Sequence, residues 1–404
     1  MGPAHRKTGL EYRMLSYQQA RDWLLERAKP LNTHQELPLM QALGRVLAQP
    51  VAAGMDVPPH DNSAMDGYAL RCADLAPAMA VTQRVPAGSV PAPLQAGTAA
   101  RIFTGAPIPP GADAVIMQEQ ADLDGEGRVT FSAEPSPGQN IRRRGEDIAA
   151  GQRILEAGRK LSAADLGLAA SIGLARLPVL PRLRVAAFFT GDELVEPGQP
   201  LAEGQIYNSN RYWLLPALQQ LGCEVIDLGH VGDALEPTRQ LLRDAAMVAD
   251  VVITCGGVSV GEEDHVKAAV EAEGELTLWK VAIKPGKPLA YGKVGSADFI
   301  GLPGNPVSGY VTLQTLIKPF LQKRMGLEVP PPETQRLPAA FAWDKPDTRR
   351  SEFLRVRKLA GQLQLYPQQG SGVLMSCAWA DGLVWLQPGQ QVKPGDELAY
   401  LELT

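Results

Sequence analysis

The stretch Thr254-Cys255-Gly256-Gly257-Val258-Ser259-Val260-Gly261-Glu262-Glu263-Asp264 decides how this chain is read. It follows the apolar run Val251-Val252-Ile253, which predicts a buried strand, and leads into an Ala/Val/Lys pattern that predicts a helix. A strand that breaks into small residues ahead of a helix leaves backbone N–H groups free at the helix start, and such groups hold phosphate. Asp264 closes the loop where a metal ion or a polarised water can sit beside the phosphate. A tight turn without ligand needs the same glycines, and an N-cap needs the same aspartate. The weight comes from downstream, where Lys280, Lys284 and Lys287 are followed by Leu302-Pro303-Gly304-Asn305-Pro306-Val307-Ser308. Three anion-friendly segments in succession point to a large phosphorylated ligand.

Outward from that loop, strand and helix patterns alternate. The run 185–189 predicts a strand leading to Thr190-Gly191-Asp192-Glu193; a helix over 209–221, a strand over 224–228 and a helix over 238–248 follow. Such alternation predicts a doubly wound parallel sheet whose ligands bind at the carboxyl ends of the strands. Asp192, Glu193, Asp233 and Asp264 stand in the loops after three such strands and should converge. Lys280 and Lys284 alternate with apolar residues, so they share one side if their segment is extended.

The flanks read differently. Ser16 can cap a helix over 17–29, and 39–48 shows helical spacing. From 51 to about 150, proline and glycine turns separate short apolar runs such as 114–117 and 128–131, which predicts a β-rich domain. Ser162 to Asp165 has capping-box spacing and starts a further helix. The resulting division is a helical domain in two segments (15–50 and 150–180), an inserted β-rich domain (51–149), an α/β domain (181–328) and, beyond the Pro330-Pro331-Pro332 linker, a small C-terminal β-barrel (333–404). The fold class is thus multidomain α/β and β.

Composition narrows the function. A chain of 404 residues with 45% hydrophobic and 21% charged residues has ample material for several cores. A net charge of −5 argues against a nucleic-acid surface as its main business. Cys72, Cys223, Cys255 and Cys377 contain no Cys-x-x-Cys pair, which fits reduced cytosolic thiols. No apolar run approaches the ~20 residues that span a bilayer, so a soluble, cytoplasmic protein is expected.

Seven motifs occur in order: Asp61-Asn62-Ser63-Ala64-Met65-Asp66-Gly67-Tyr68, Thr104-Gly105-Ala106-Pro107, Arg142-Arg143-Arg144-Gly145-Glu146-Asp147, Thr190 to Leu194, Cys255 to Gly261, Lys284-Pro285-Gly286-Lys287-Pro288 and Leu302 to Ser308. Together they resemble the molybdopterin molybdenumtransferase family, to which the E domain of gephyrin is related, over nearly the whole chain. The resemblance implies that adenylylated molybdopterin and molybdate yield molybdenum cofactor and AMP, with Mg²⁺ required. It also implies an elongated four-domain homodimer whose cleft combines the α/β domain of one subunit with the β-rich domain of the other. A molybdopterin adenylyltransferase and molybdoenzyme maturation factors are the implied partners; nucleic acid and membrane are not. The chain departs from the family where paired aspartates often stand, having Asp233-Ala234, and where a tyrosine often follows the loop aspartate, having His265.

Carried onto this sequence, the resemblance makes Asp66, Glu193, Asp233 and Asp264 the catalytic carboxylates, with Asp66, Glu193 and Asp264 as metal ligands. Thr104, Gly256, Gly257, Ser259, Gly261, Lys280 and Lys284 are expected to hold the pterin nucleotide, and Lys287, Ser308, Arg355 and Ser371 the molybdate dianion. Splitting a phosphoanhydride calls for a divalent ion, for carboxylates to hold it, and for N–H groups and lysines to offset phosphate charge. Arg142, Arg143 and Arg144 show no partner by spacing, and a solvated charge run is one of two even readings of them. Two competing readings are an adenylyltransferase, which resembles 182–326 alone, and a non-catalytic molybdopterin-binding scaffold. A dinucleotide enzyme is disfavoured because Thr190-Gly191-Asp192-Glu193 is not a Gly-x-Gly-x-x-Gly turn.

Overall fold

The structure, a computed structural model, describes residues 14–258, 265–332 and 334–403. The chain forms two compact units: a larger one from residues 1–35, 44–48 and 179–404, and a smaller one from 36–43 and 49–178.

A six-stranded sheet centres the larger unit, in the order Glu224–Val231, Arg184–Thr190, Val251–Cys255, Ala297–Leu302, Pro288–Val294, Gly274–Lys280. The first four strands run parallel and the last two are antiparallel additions. The central strands are apolar throughout because both faces are covered. Val185, Ala187, Phe189, Val251, Ile253 and Cys255 pack on one side with Leu24, Leu214, Leu218 and Phe320. Ala186, Phe188 and Val252 pack on the other with Leu242 and Ala245 of helix Leu235–Val248 and Val266, Ala269 and Val270 of helix His265–Glu273. The sheet is doubly wound, as the alternation predicts.

The helix expected from Ser16 runs over Tyr17–Arg27 with a complete Ser16/Gln19 capping box. The helix expected over 39–48 shortens to Leu39–Ala42, because Leu43 leaves the helical region and Gly44 takes a left-handed φ of +71°.

The C-terminal strands Gln335–Pro338, Ser351–Leu359, Gln362–Leu365, Gly382–Leu386 and Glu397–Glu402 make the small barrel. It closes at an Ala339–Leu363 bridge, where the Ala340 N–H donates to Leu363 O at 2.8 Å. Leu354, Val356, Val384, Leu386, Leu398 and Tyr400 fill it. Ile283–Lys284 adds to this sheet, parallel to Ser351–Glu352. Lys280 instead ends a strand of the central sheet, opposite Pro288. The two lysines therefore do not lie on one extended strand: the chain turns between two sheets, with the Val281 N–H donating to Lys287 O at 3.0 Å.

In the smaller unit, six strands run in the order Ala114–Met117, Gly67–Leu70, Thr98–Ile102, Met79–Val85, Arg128–Phe131, Ala121–Leu123. Its helix Ala163–Ser171 starts at a Ser162/Asp165 capping box, as the spacing predicts. Among the described residues no helix is long and apolar enough to cross a membrane.

Candidate functional site

At the carboxyl end of strand Val251–Cys255 the chain turns through Gly256 and Gly257, whose φ values are +105° and +65°. A Cβ on Gly256 would stand 2.6 Å from Thr190 O, and one on Gly257 2.3 Å from Val266 Cγ2. Only glycine lets the loop cross this close to the neighbouring strand end. The Thr190 Oγ1 lies 3.0 and 2.9 Å from the same two points, buried and without a hydrogen-bond partner among the described residues. A buried hydroxyl at a glycine turn is the kind of group a phosphate oxygen satisfies. Ser259, Gly261 and Asp264 lie outside the described residues. The adjacent Cys255 is no nucleophile: burial pushes its thiol up to about 12, and the thiol donates to Pro303 O at 3.3 Å.

Two neighbouring strand ends bring carboxylates to this edge. The Asp233 N–H donates to Asp192 Oδ1 at 3.0 Å, and the Asp192 N–H to Asp233 Oδ2 at 3.3 Å. His230 Nε2 meets Gly191 O at 2.9 Å, a second tie between the same loops. The exposed Glu193 folds over Gly191, where a Cβ would stand 2.5 Å from Glu193 Oε2. Asp192 is one of the carboxylates expected to converge here, although it was not among those assigned a catalytic role.

The loop Leu302 to Ser308 is pinned from behind. Asn210 Nδ2 donates to Gly304 O at 2.6 Å, while Asn210 Oδ1 accepts from Trp213 Nε1 at 2.9 Å. Both residues lie on helix Ser209–Leu221, and nothing in their spacing pointed to the loop. Ser308 is buried in the helix Pro306–Thr312 that begins there. The Val307 N–H donates to Ser371 O at 3.1 Å, which brings Ser371 to the same helix start. Lys287 is exposed, Lys280 is half-buried, and Lys284 Nζ pairs with Glu352 Oε1 at 2.9 Å.

Arg355 is 1% exposed, on the strand face opposite Leu354 and Val356, where its Nε donates to Ser376 Oγ and its two terminal nitrogens to Phe353 O and Gly370 O. Its backbone N–H donates to Gln369 Oε1 at 2.9 Å. Three of its five guanidinium N–H groups go to neutral protein acceptors, so Arg355 holds the 369–371 loop and keeps two N–H groups for a further acceptor. Burial also holds it down to about 10.

In the smaller unit, Asp66 Oδ1 accepts from the Thr104 N–H at 2.7 Å and the Thr104 hydroxyl at 2.8 Å, joining two motifs. Those bonds, the backbone one first, hold the Asp66 carboxyl below its ordinary range. Two members of the exposed arginine run have ion-pair partners. Arg143 pairs with Asp61 at 2.6 Å and Arg144 with Asp56 at 2.5 Å, across sequence separations that no spacing rule reaches.

Among the described residues no three His, Cys, Asp or Glu side chains gather as a metal site. The oxygen donors at hand suit Mg²⁺, which keeps waters and needs only one or two carboxylates when substrate phosphates complete its shell.

Three family models cover the chain: the MoeA N-terminal region (domain I and II) over residues 15–173, a probable molybdopterin binding domain over 186–323, and the MoeA C-terminal region (domain IV) over 336–403. The chain is 47% identical to the molybdopterin molybdenumtransferase of Haemophilus influenzae over 320 residues, 78% of each chain. It is 39% identical to molybdopterin molybdenumtransferase 2 of Mycobacterium tuberculosis over 387 residues, 91% of this chain and 95% of that one. The crystal structure of the molybdopterin biosynthesis moea protein from Pyrococcus horikosii superposes with a TM-score of 0.83 at 30% identity, covering 96% of this chain and 99% of that one. These matches place the chain in the molybdopterin molybdenumtransferase family.

Proposed function

We propose that this protein inserts molybdate into adenylylated molybdopterin and releases AMP, the final step of molybdenum cofactor synthesis. The observation that carries the reading is the strand-end edge of the doubly wound sheet. There the left-handed Gly256-Gly257 turn, the Thr190 hydroxyl with no partner among the described residues, and the coupled Asp192 and Asp233 carboxylates stand on adjoining strands. Backbone N–H groups and a hydroxyl suit phosphate oxygens, and carboxylates suit a divalent ion.

In this reading Gly256, Gly257, Ser259, Gly261, Lys280 and Lys284 bind the pterin nucleotide, with Thr104 placing Asp66. Glu193, Asp233 and Asp264 hold or orient around Mg²⁺ together with Asp66. When bound, the metal supplies charge neutralisation on the phosphates. Lys287, Ser308, Arg355 and Ser371 face the molybdate dianion, and Arg355 also holds the 369–371 loop. The working form is a cytoplasmic homodimer of four-domain subunits, divided as the sequence suggests. It is supplied by a molybdopterin adenylyltransferase and drained by molybdoenzyme maturation factors.

The matches over 15–173 and 336–403 favour insertion over adenylylation, since an adenylyltransferase resembles the α/β region alone. Purified protein incubated with adenylylated molybdopterin, molybdate and Mg²⁺ should release AMP in step with molybdenum-loaded pterin. AMP release that ignores molybdate, or formation of adenylylated molybdopterin from ATP instead, would overturn the assignment.

A further inference from the structure

The strand Ile283–Lys284 lies parallel to the start of Ser351–Leu359, which sets Lys284 opposite Glu352. The Glu352 side chain is 1% exposed, whereas Lys284 is 42% exposed. Each carboxylate oxygen has a separate task. Oε1 meets Lys284 Nζ at 2.9 Å, and Oε2 accepts from Trp343 Nε1 at 3.0 Å and from the Asp347 N–H at 2.8 Å. The carboxylate is therefore fixed by two donors of the barrel and presents its remaining oxygen to a single ammonium. A buried carboxylate gives up its counter-ion at a high cost. Lys284 is thus held with or without ligand, and its ammonium has N–H groups left over for another acceptor.

We propose that Glu352 is the positioning residue for Lys284: it fixes the ammonium on the barrel edge so that its remaining N–H groups meet the anionic part of the pterin nucleotide. The inference rests on the reading of Lys284 as a contact of that ligand. A free lysine loses most of its rotamer freedom on binding an anion, and Glu352 takes that loss in advance.

The test uses Glu352→Gln, which is isosteric. Its amide oxygen still accepts from Trp343 and Asp347, while its NH₂ group faces Lys284 and offers it nothing. Binding of adenylylated molybdopterin, measured by calorimetry, should weaken roughly tenfold, the scale of one charge-assisted bond placed or misplaced. Lys284→Ala should weaken binding as well, and adding Glu352→Gln to it should change nothing further. A loss from Glu352→Gln that persists in the Lys284→Ala background would mean that Glu352 acts through the barrel alone, and the proposal would fall. Unchanged or tighter binding by Glu352→Gln, with Lys284→Ala weakened, would refute positioning while leaving the ligand contact intact. Wild-type binding by Lys284→Ala would remove the contact itself, and the proposal with it. Should Glu352→Gln not fold, Glu352→Asp keeps the charge one methylene shorter. It should weaken binding, again with no added effect in the Lys284→Ala background.

Discussion

Asp192 and Asp233 each accept the other's backbone N–H, at 3.0 and 3.3 Å, so the loops after strands Arg184–Thr190 and Glu224–Val231 are tied by a reciprocal pair. Two like charges share this edge only because each carboxylate is aimed at a peptide donor. Asp192→Ala removes the shorter bond, worth ~0.5–1.5 kcal/mol, and frees the Asp233 loop. AMP release should slow about tenfold on that scale while thermal stability drops only slightly. Asp192→Asn keeps an acceptor oxygen and should stay near wild type. Full activity in Asp192→Ala would show that the tie between the loops is not used.

Asp66 and Thr104 make a comparable pair in the smaller unit, and here the sign of a pH effect follows. The Thr104 N–H and hydroxyl favour the ionised Asp66, so its folded value is depressed and the carboxylate persists to lower pH than an ordinary aspartate. Thr104→Val deletes the hydroxyl and keeps the N–H. The acid limb of kcat/KM should then move to higher pH. Asp66→Asn should slow AMP release by ~10²-fold, as the loss of a metal-orienting or charge-orienting group does. An unmoved acid limb in Thr104→Val would separate Asp66 ionisation from turnover.

Gly256 is a stability prediction as much as a functional one. Alanine there would combine φ +105° with a Cβ 2.6 Å from a backbone oxygen, which cannot swing aside. Strain of ~1–3 kcal/mol plus the contact should lower the thermal midpoint by several degrees. Gly88→Ala is the control: its φ of +80° carries the strain, but nothing lies within 4 Å. Equal losses in the two variants would mean that the close approach to Thr190 contributes nothing.

How much of this was legible follows from sequence distance. The central strands declared themselves because burial on both faces makes Val251-Val252-Ile253 uniformly apolar, and the two serine caps because a capping box spans only four residues. Asp56–Arg144, Asn210–Gly304 and Lys284–Glu352 were not legible, since each joins residues more than sixty apart through folds of the chain that no local pattern encodes. The hold of Arg355 on Gly370 and Ser376 was not legible either, because only the folded chain brings those acceptors to it.

Asp347 supplies a pH dependence of stability. Burial raises its carboxyl, but the Arg350 guanidinium and the Arg349 and Arg350 N–H groups outweigh it, leaving Asp347 at about 2 against an ordinary 3.8. A depressed value means that the stabilisation is complete above 3.8 and is lost as pH falls through about 2. Wild type should therefore melt above Asp347→Asn at neutral pH, with the gap closing between pH 4 and 2. A gap that is constant across this window would assign the effect to shape and not to charge.

Arg355 offers the sharpest separation of structure from ligand contact. Its guanidinium satisfies Phe353 O, Gly370 O and Ser376 Oγ, and the Gly370 bond anchors the loop that carries Ser371. Lysine has one ammonium in place of the planar fork and cannot reach all three acceptors. Arg355→Lys keeps the charge, so an anion-binding role would be largely retained. A scaffold role would be lost at ~1–3 kcal/mol for each buried acceptor left unpaired. The expectation is a clear fall in thermal midpoint in the absence of any ligand, with faster hydrogen exchange at the 369–371 loop. Molybdate dependence should weaken only as far as that loop loosens. A variant that melts and exchanges like wild type would show that the three guanidinium bonds do not hold the loop.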